Sequence, residues 1–141
     1  NHNCPSCEKS GRCELQAVGY ELEMVSSRFT YRFPKRSRED AAKHIFLEKD
    51  RCIFCQRCVE FIRDDETGRK IFSINRRGSK AEIDVDVELA DRMTPEQAAK
   101  AADICPVGCI IEKGRGYDKA MGKRKYEVKS LRQRVLEGEE T

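Results

Sequence analysis

The sequence predicts an α+β fold, on three observations. Residues 70–75 and 81–87 alternate in character with a period of two, as half-buried strands do, and are joined through a turn at 76–79. A helix start is written at Thr94, Pro95, Glu96 and Gln97, ahead of the run 98–104. Around these elements stand eight cysteines, grouped as Cys4, Cys7, Cys13, then Cys52, Cys55, Cys58, with Cys105 and Cys109 after the helix.

Taken in order, residues 1–13 read H-x-C-x2-C-x5-C over His2, Cys4, Cys7 and Cys13. Pro5, Ser6, Ser10 and Gly11 favour turns there, which lets backbone N–H groups point at sulfur. From Cys13 the pattern becomes helical, with Leu15, Val18, Leu22 and Val25 forming one apolar stripe. Residues 26–43 are a basic, irregular connector in which Arg28, Arg32, Lys35, Arg36 and Arg38 interleave with Phe29, Tyr31 and Phe33. That mixture can bind single-stranded nucleic acid, but no stacking platform surrounds it, so the aromatics are expected to pack locally or against a partner.

Residues 44–49 form a short strand entering the loop of Cys52, Cys55 and Cys58. Val59, Phe61 and Ile62 then suggest a short helix ended near Gly68. After the two alternating stretches, the helix that starts at Thr94 delivers Cys105. This divides the chain into a His/Cys loop with its helix and connector (1–43), a unit with an inserted hairpin (44–113), and a polar tail (114–141). The tail has little core of its own and reads either as an arm docked on a partner or as a disordered end.

The C-x2-C-x2-C spacing of Cys52, Cys55 and Cys58 suits three corners of an iron–sulfur cubane, with Cys105 as the fourth ligand. The Cys105–Pro106 step matches the close of the bacterial ferredoxin run, so 44–113 reads as ferredoxin-like. Tetrahedral zinc more often takes two separated pairs, and three ligands crowded into one turn fit it poorly. A second cubane of the bacterial two-cluster kind would need a cysteine where Ile62 stands, so this unit holds one [4Fe-4S] cluster. Cys109 is expected to be a buried thiol that does not ligate.

Cys4, Cys7 and Cys13 call for a fourth ligand to a second [4Fe-4S] cluster, and His2 is the nearest. His44 and an iron without a protein ligand are the other readings. Imidazole in place of thiolate makes the site less negative and raises its potential. Arg51 and Arg57 are near enough in sequence to tune the first cluster, and Val107 and Ile110 to exclude water from it.

Charged residues make up 38% of the chain, so the apolar core is thin and bound clusters or partners would supply stability. With 28 basic and 25 acidic residues the net charge is only +3, which points to no nucleic-acid partner. No apolar run has the length of a membrane span, no signal peptide is visible, and the cysteine spacing is metal-like rather than disulfide-like. A reducing, cytoplasmic setting follows. The chain starts at Asn1 inside a ligand loop, from which a preceding segment is expected. There is no dinucleotide fingerprint, P-loop or nucleophile triad, so the chain reads as a wire between sites held elsewhere.

Residues 1–20 (NHNCPSCEKSGRCELQAVGY), 50–64 (DRCIFCQRCVEFIRD) and 104–113 (ICPVGCIIEK) carry a specific resemblance. The sequence resembles the small diaphorase, or gamma, subunits of cytoplasmic NAD-reducing [NiFe] hydrogenases. These are related to the N-terminal region of the complex I large iron–sulfur subunit. The resemblance implies two [4Fe-4S] clusters, on Cys52, Cys55, Cys58, Cys105 and on His2, Cys4, Cys7, Cys13. It implies a [2Fe-2S] domain ahead of the first motif, and partners in a flavin/NAD-binding diaphorase subunit carrying FMN and a [NiFe] hydrogenase small subunit. Two departures stand out: complex I relatives write the first motif H-x3-C where this sequence has H-x-C, and Cys109 replaces the usual Ala or Thr. A fragment of a complex I or formate dehydrogenase subunit, and a zinc-binding adaptor, are the alternative readings.

Overall fold

In the computed structural model, residues 4–30 and 35–139 are described. Helix and sheet are mixed, as the α+β reading has it. A three-stranded antiparallel sheet is made of β1 (Arg38–Glu39), β2 (Ile45–Glu48) and β5 (Ile110–Glu112), in that order. Ile45 faces Glu112 and Leu47 faces Ile110. The strand leading into the loop of Cys52, Cys55 and Cys58 is thereby zipped to the strand that follows Cys105 and Cys109. A second antiparallel pair joins β3 (Phe72–Asn75) to β4 (Glu82–Val85).

Three of the four residues of β2 are buried. Ile45 and Leu47 are fully buried with Ile71, Phe72 and Ile110, each burial contributing roughly 1.5–3 kcal/mol. The same cluster includes Cys13, Cys58, Cys105 and Cys109, so the cysteines lie at the edge of the apolar core. Helix α4 (Pro95–Ile104) starts as its sequence dictates. The Thr94 hydroxyl accepts from the Gln97 N–H, and the Gln97 side chain accepts from the Thr94 N–H. Ala98, Ala101 and Ala102 are its buried face, and Cys105 is its C-cap.

Three elements differ from expectation. The second alternating stretch ends at Val85, because the Asp86 carboxylate accepts from the Leu89 N–H and starts α3 (Val87–Asp91). Helix α1 (Glu14–Glu21) is shorter than its stripe. Glu23 adopts φ +49° and turns the chain away, so Leu15, Val18, Leu22 and Val25 are exposed and Ala17 is the residue that α1 buries.

The tail is the third. It forms α5 (Lys125–Val128) and α6 (Leu131–Leu136), and α6 packs against α1. Tyr126 donates its N–H to the Gly11 carbonyl over 2.9 Å, and an Arg124 guanidinium nitrogen donates to the Ser10 carbonyl. The arm is thus seated on this chain's own first cysteine loop. Gly11 permits it, since at φ +77° a Cβ there would lie 2.4–2.7 Å from Arg124 side-chain carbons.

Candidate iron–sulfur sites

The loop of Cys52, Cys55 and Cys58 is shaped by two left-handed residues, Phe54 (φ +59°) and Gln56 (φ +64°), one in each gap. Neither is glycine, and each costs about 1–2 kcal/mol that the surrounding structure must offset. The bends coil the loop, and the Phe54 N–H donates to Cys52 Sγ over 3.3 Å. Cys55 is exposed at the tip and Cys58 is buried at the start of α2 (Arg57–Phe61). Cys105 arrives buried from α4.

The sulfurs differ in acidity for physical reasons. The Cys105 thiol is held down to about 6, first by the Cys109 thiol beside it and, against burial, by the N–H groups of Ile110, Val107 and Cys109. Cys52 is lowered to about 7 by the same Cys109 thiol and, against burial, by the Phe54 N–H. Cys109 is correspondingly pushed well up, so it donates to both. Burial, then the neighbouring Cys105, Cys52 and Cys55, raise Cys58 to about 12. Cys109 is buried as expected, yet it hydrogen-bonds two of the four candidate ligands rather than merely filling space.

In the first loop Cys7 and Cys13 are buried and Cys4 is half-buried. Burial raises the Cys13 thiol, against N–H donors from Gln16 and Leu15. His2 lies outside the described residues. His44, the rival ligand, precedes β2, its carbonyl accepting from the Lys113 N–H.

Contacts that the spacing could not reveal join the two loops. A Cβ added at Gly108 would lie 2.3 Å from Cys7 Sγ, so Cys7 packs directly on the backbone between Cys105 and Cys109. Glu14 donates its N–H to the Pro106 carbonyl over 2.9 Å. Arg57 pairs with Glu14 at 2.8 Å, and Arg51 donates to the Gly108 carbonyl with Glu8 3.7 Å away. A cavity of about 510 Å³ is lined by Cys4, Cys7, Cys13 and Cys52, with Val107 and Gly108 between them.

The donor chemistry fits iron–sulfur clusters. All eight cysteines are free, N–H groups point at several sulfurs, and Gly108 is a cradle that any Cβ would fill. Arg51 Nε is buried without a hydrogen-bond acceptor among the described residues, a donor suited to an anionic neighbour. Among the described residues no three His, Cys, Asp or Glu side chains are placed to share one metal ion.

Such a site on such a fold is that of an iron–sulfur protein with a ferredoxin-like unit. Residues 42–111 match the ferredoxin-like domain of NADH-quinone oxidoreductase subunit 3, and residues 1–28 match the NADH-ubiquinone oxidoreductase-G iron–sulfur binding region. The chain is a relative of the gamma subunits of NAD-reducing hydrogenases and shares its iron–sulfur regions with NADH-ubiquinone oxidoreductases. It is 64% identical over 140 residues to the HoxS gamma chain of NAD-reducing hydrogenase from Cupriavidus necator, covering 99% of this chain and 60% of that one. It is 37% identical over 134 residues to the NADH-ubiquinone oxidoreductase 75 kDa subunit of Acanthamoeba castellanii, covering 92% of this chain and 18% of that one. The fold superposes with a TM-score of 0.78 and 33% identity on a chain of NAD+-reducing [NiFe]-hydrogenase in the H2-reduced state, covering 92% of this chain and 56% of that one. The chain therefore spans just over half the length of its hydrogenase relatives. No helix among the described residues is long and apolar enough to cross a membrane.

Proposed function

We propose that this chain is the electron-relay part of a hydrogen:NAD+ oxidoreductase, carrying electrons between a [NiFe] half and an FMN/NAD half without converting a substrate itself. Cys52, Cys55, Cys58 and Cys105 would hold one [4Fe-4S] cluster, and Cys4, Cys7 and Cys13 with His2 another. Each cluster, when bound, takes up and releases one electron. The chain's residues do the rest. Amides of 54, 107, 109 and 110 direct hydrogen at the sulfurs, Val107 and Ile110 exclude water, and Arg51 and Arg57 place positive charge beside the second loop. The partners would be a flavin/NAD-binding diaphorase subunit and a [NiFe] hydrogenase small subunit, in the cytoplasm.

The observation that carries this reading is the seating of Cys7 on Gly108, which sets a candidate ligand of one site against the backbone three residues after Cys105, a candidate ligand of the other. A relay needs adjacent stations; a structural staple does not. Metal and acid-labile sulfide analysis of the purified chain tests it. Iron with matching sulfide supports the relay, whereas stoichiometric zinc without sulfide overturns it. Replacing His2 by Cys should lower the potential at one site alone; an unchanged redox titration would remove His2 from the ligand set.

A further inference from the structure

The loop between Cys7 and Cys13 sends one charged side chain inward. Lys9 is 3% exposed, and its ammonium donates to the Ala102 carbonyl over 2.7 Å and to the Asp103 carbonyl over 3.2 Å. These belong to the last turn of α4, whose carbonyls lack partners within the helix. An ammonium has three donors and no acceptor, and the negative end of a helix favours a cation, so these carbonyls suit the ammonium form.

Its location is shared. Lys9 belongs to the first cysteine loop, while the carbonyls it binds lie one or two residues short of the helix end that presents Cys105. Lys9 Cβ is 3.4 Å from where a Cβ of Gly108 would stand, and Cys7 Sγ is 2.3 Å from the same point. Burial, then Arg12, holds its pKa below the ordinary lysine value, against Cys105, Asp103 and Cys13. Arg12, the other cation of the loop, is partly solvent-screened and paired with exposed Asp103.

We propose that Lys9 is a positioning residue common to both sites, its buried ammonium favouring the reduced state of each. The proposal rests on the relay reading above. An electron arriving at either site makes it one charge more negative, and a fixed cation in a poorly screened interior stabilises that state. The electron enters and leaves through the site. The proton stays on Nζ, and no bond is made or broken at Lys9.

The test is a redox titration of the assembled complex, followed by electron paramagnetic resonance. It compares the wild type with Lys9→Gln, which keeps donors and removes charge, and with Lys9→Arg, which keeps charge. Both midpoint potentials should fall in Lys9→Gln and stay near wild type in Lys9→Arg. With iron content intact, a shift at only one site, at neither, or of equal size in both variants overturns the proposal. If Lys9→Gln loses iron, Lys9→Met is titrated in its place, and loss of iron there too makes the role structural and overturns it. Failure of the relay reading is distinct: the wild-type complex would then lack iron and sulfide in this chain.

Discussion

The residue after Cys13 is hydrogen-bonded to the residue after Cys105: Glu14 donates its backbone N–H to the Pro106 carbonyl over 2.9 Å. Proline suits the accepting side, because it has no N–H of its own to satisfy and its carbonyl is free to face the neighbouring loop. The two cysteine sets, far apart in sequence, are thus registered by backbone rather than by flexible side chains. Changes in one loop should be felt in the other.

Gly108→Ala tests that directly. Its Cβ would fall 2.3 Å from Cys7 Sγ and 3.4 Å from Arg51 Cδ, so the first loop must shift. We expect destabilisation of about 1–3 kcal/mol, the usual cost of overpacking, with iron lost from the first site before the second. Thermal unfolding and site-resolved paramagnetic resonance would show it.

Cys55→Ala should remove one [4Fe-4S] signal and stop hydrogen-driven NAD+ reduction in the complex, while dye reduction at the nickel site persists. Cys55 is exposed at the loop tip, so the fold should survive its loss. NAD+ reduction at the wild-type rate would remove the chain from the electron path.

The protonation of the sulfurs sets a pH dependence for cluster insertion. Ligating sulfur must be thiolate. Cys52 and Cys105 sit near 7 and 6, so both are largely ionised at pH 8 and become protonated as the pH falls through that range. Reconstitution of the apoprotein should therefore slow between pH 8 and pH 6. Cys58, near 12, stays protonated throughout and must release a proton on binding. Stopped-flow absorbance with a pH indicator measures both.

The hairpin is tied to the ligand loop by an ion pair. Lys49, in the turn just before Arg51 and Cys52, is 4% exposed and reaches Asp84 of β4 over 2.9 Å. Burial raises the Asp84 carboxyl, but Lys49 and Asn75 outweigh it and hold it low. Asp84→Ala would strand a buried cation. Breaking such pairs costs about 3–5 kcal/mol, reduced here to about 2–3 because Asp84 is partly screened. Adding Lys49→Met should restore much of the loss in chemical denaturation.

What could be read from the sequence was whatever is local. Thr94, Pro95 and Gln97 specify their helix start within four residues, and the mixed helix–sheet character follows from short-range alternation. The spacing of the cysteines names the candidate ligands without placing one set against the other. The contacts of Cys7 with Gly108, Lys9 with Ala102 and Tyr126 with Gly11 span 93 residues or more, and no periodicity encodes them. Phe54 and Gln56 were equally hidden, since left-handed backbone usually announces itself as glycine or asparagine. The stripe of Leu15, Val18, Leu22 and Val25 was visible, but periodicity cannot say whether a stripe faces in or out.

Gly11→Ala should release the tail, since its Cβ would displace Arg124 and φ +77° strains any Cβ-bearing residue. Limited proteolysis should then cut within 124–136 while the ferredoxin-like unit stays intact. Resistance equal to wild type would show that α5 and α6 are held by other contacts.

Arg124 and the Ser10 carbonyl it binds are 114 positions apart. A ribosome making this chain releases the first cysteine loop well before the segment that covers it. The loop is consequently uncovered until residues 124–136 have emerged. A cluster delivered to that loop during synthesis would have a natural window, closed by the arrival of α5 and α6.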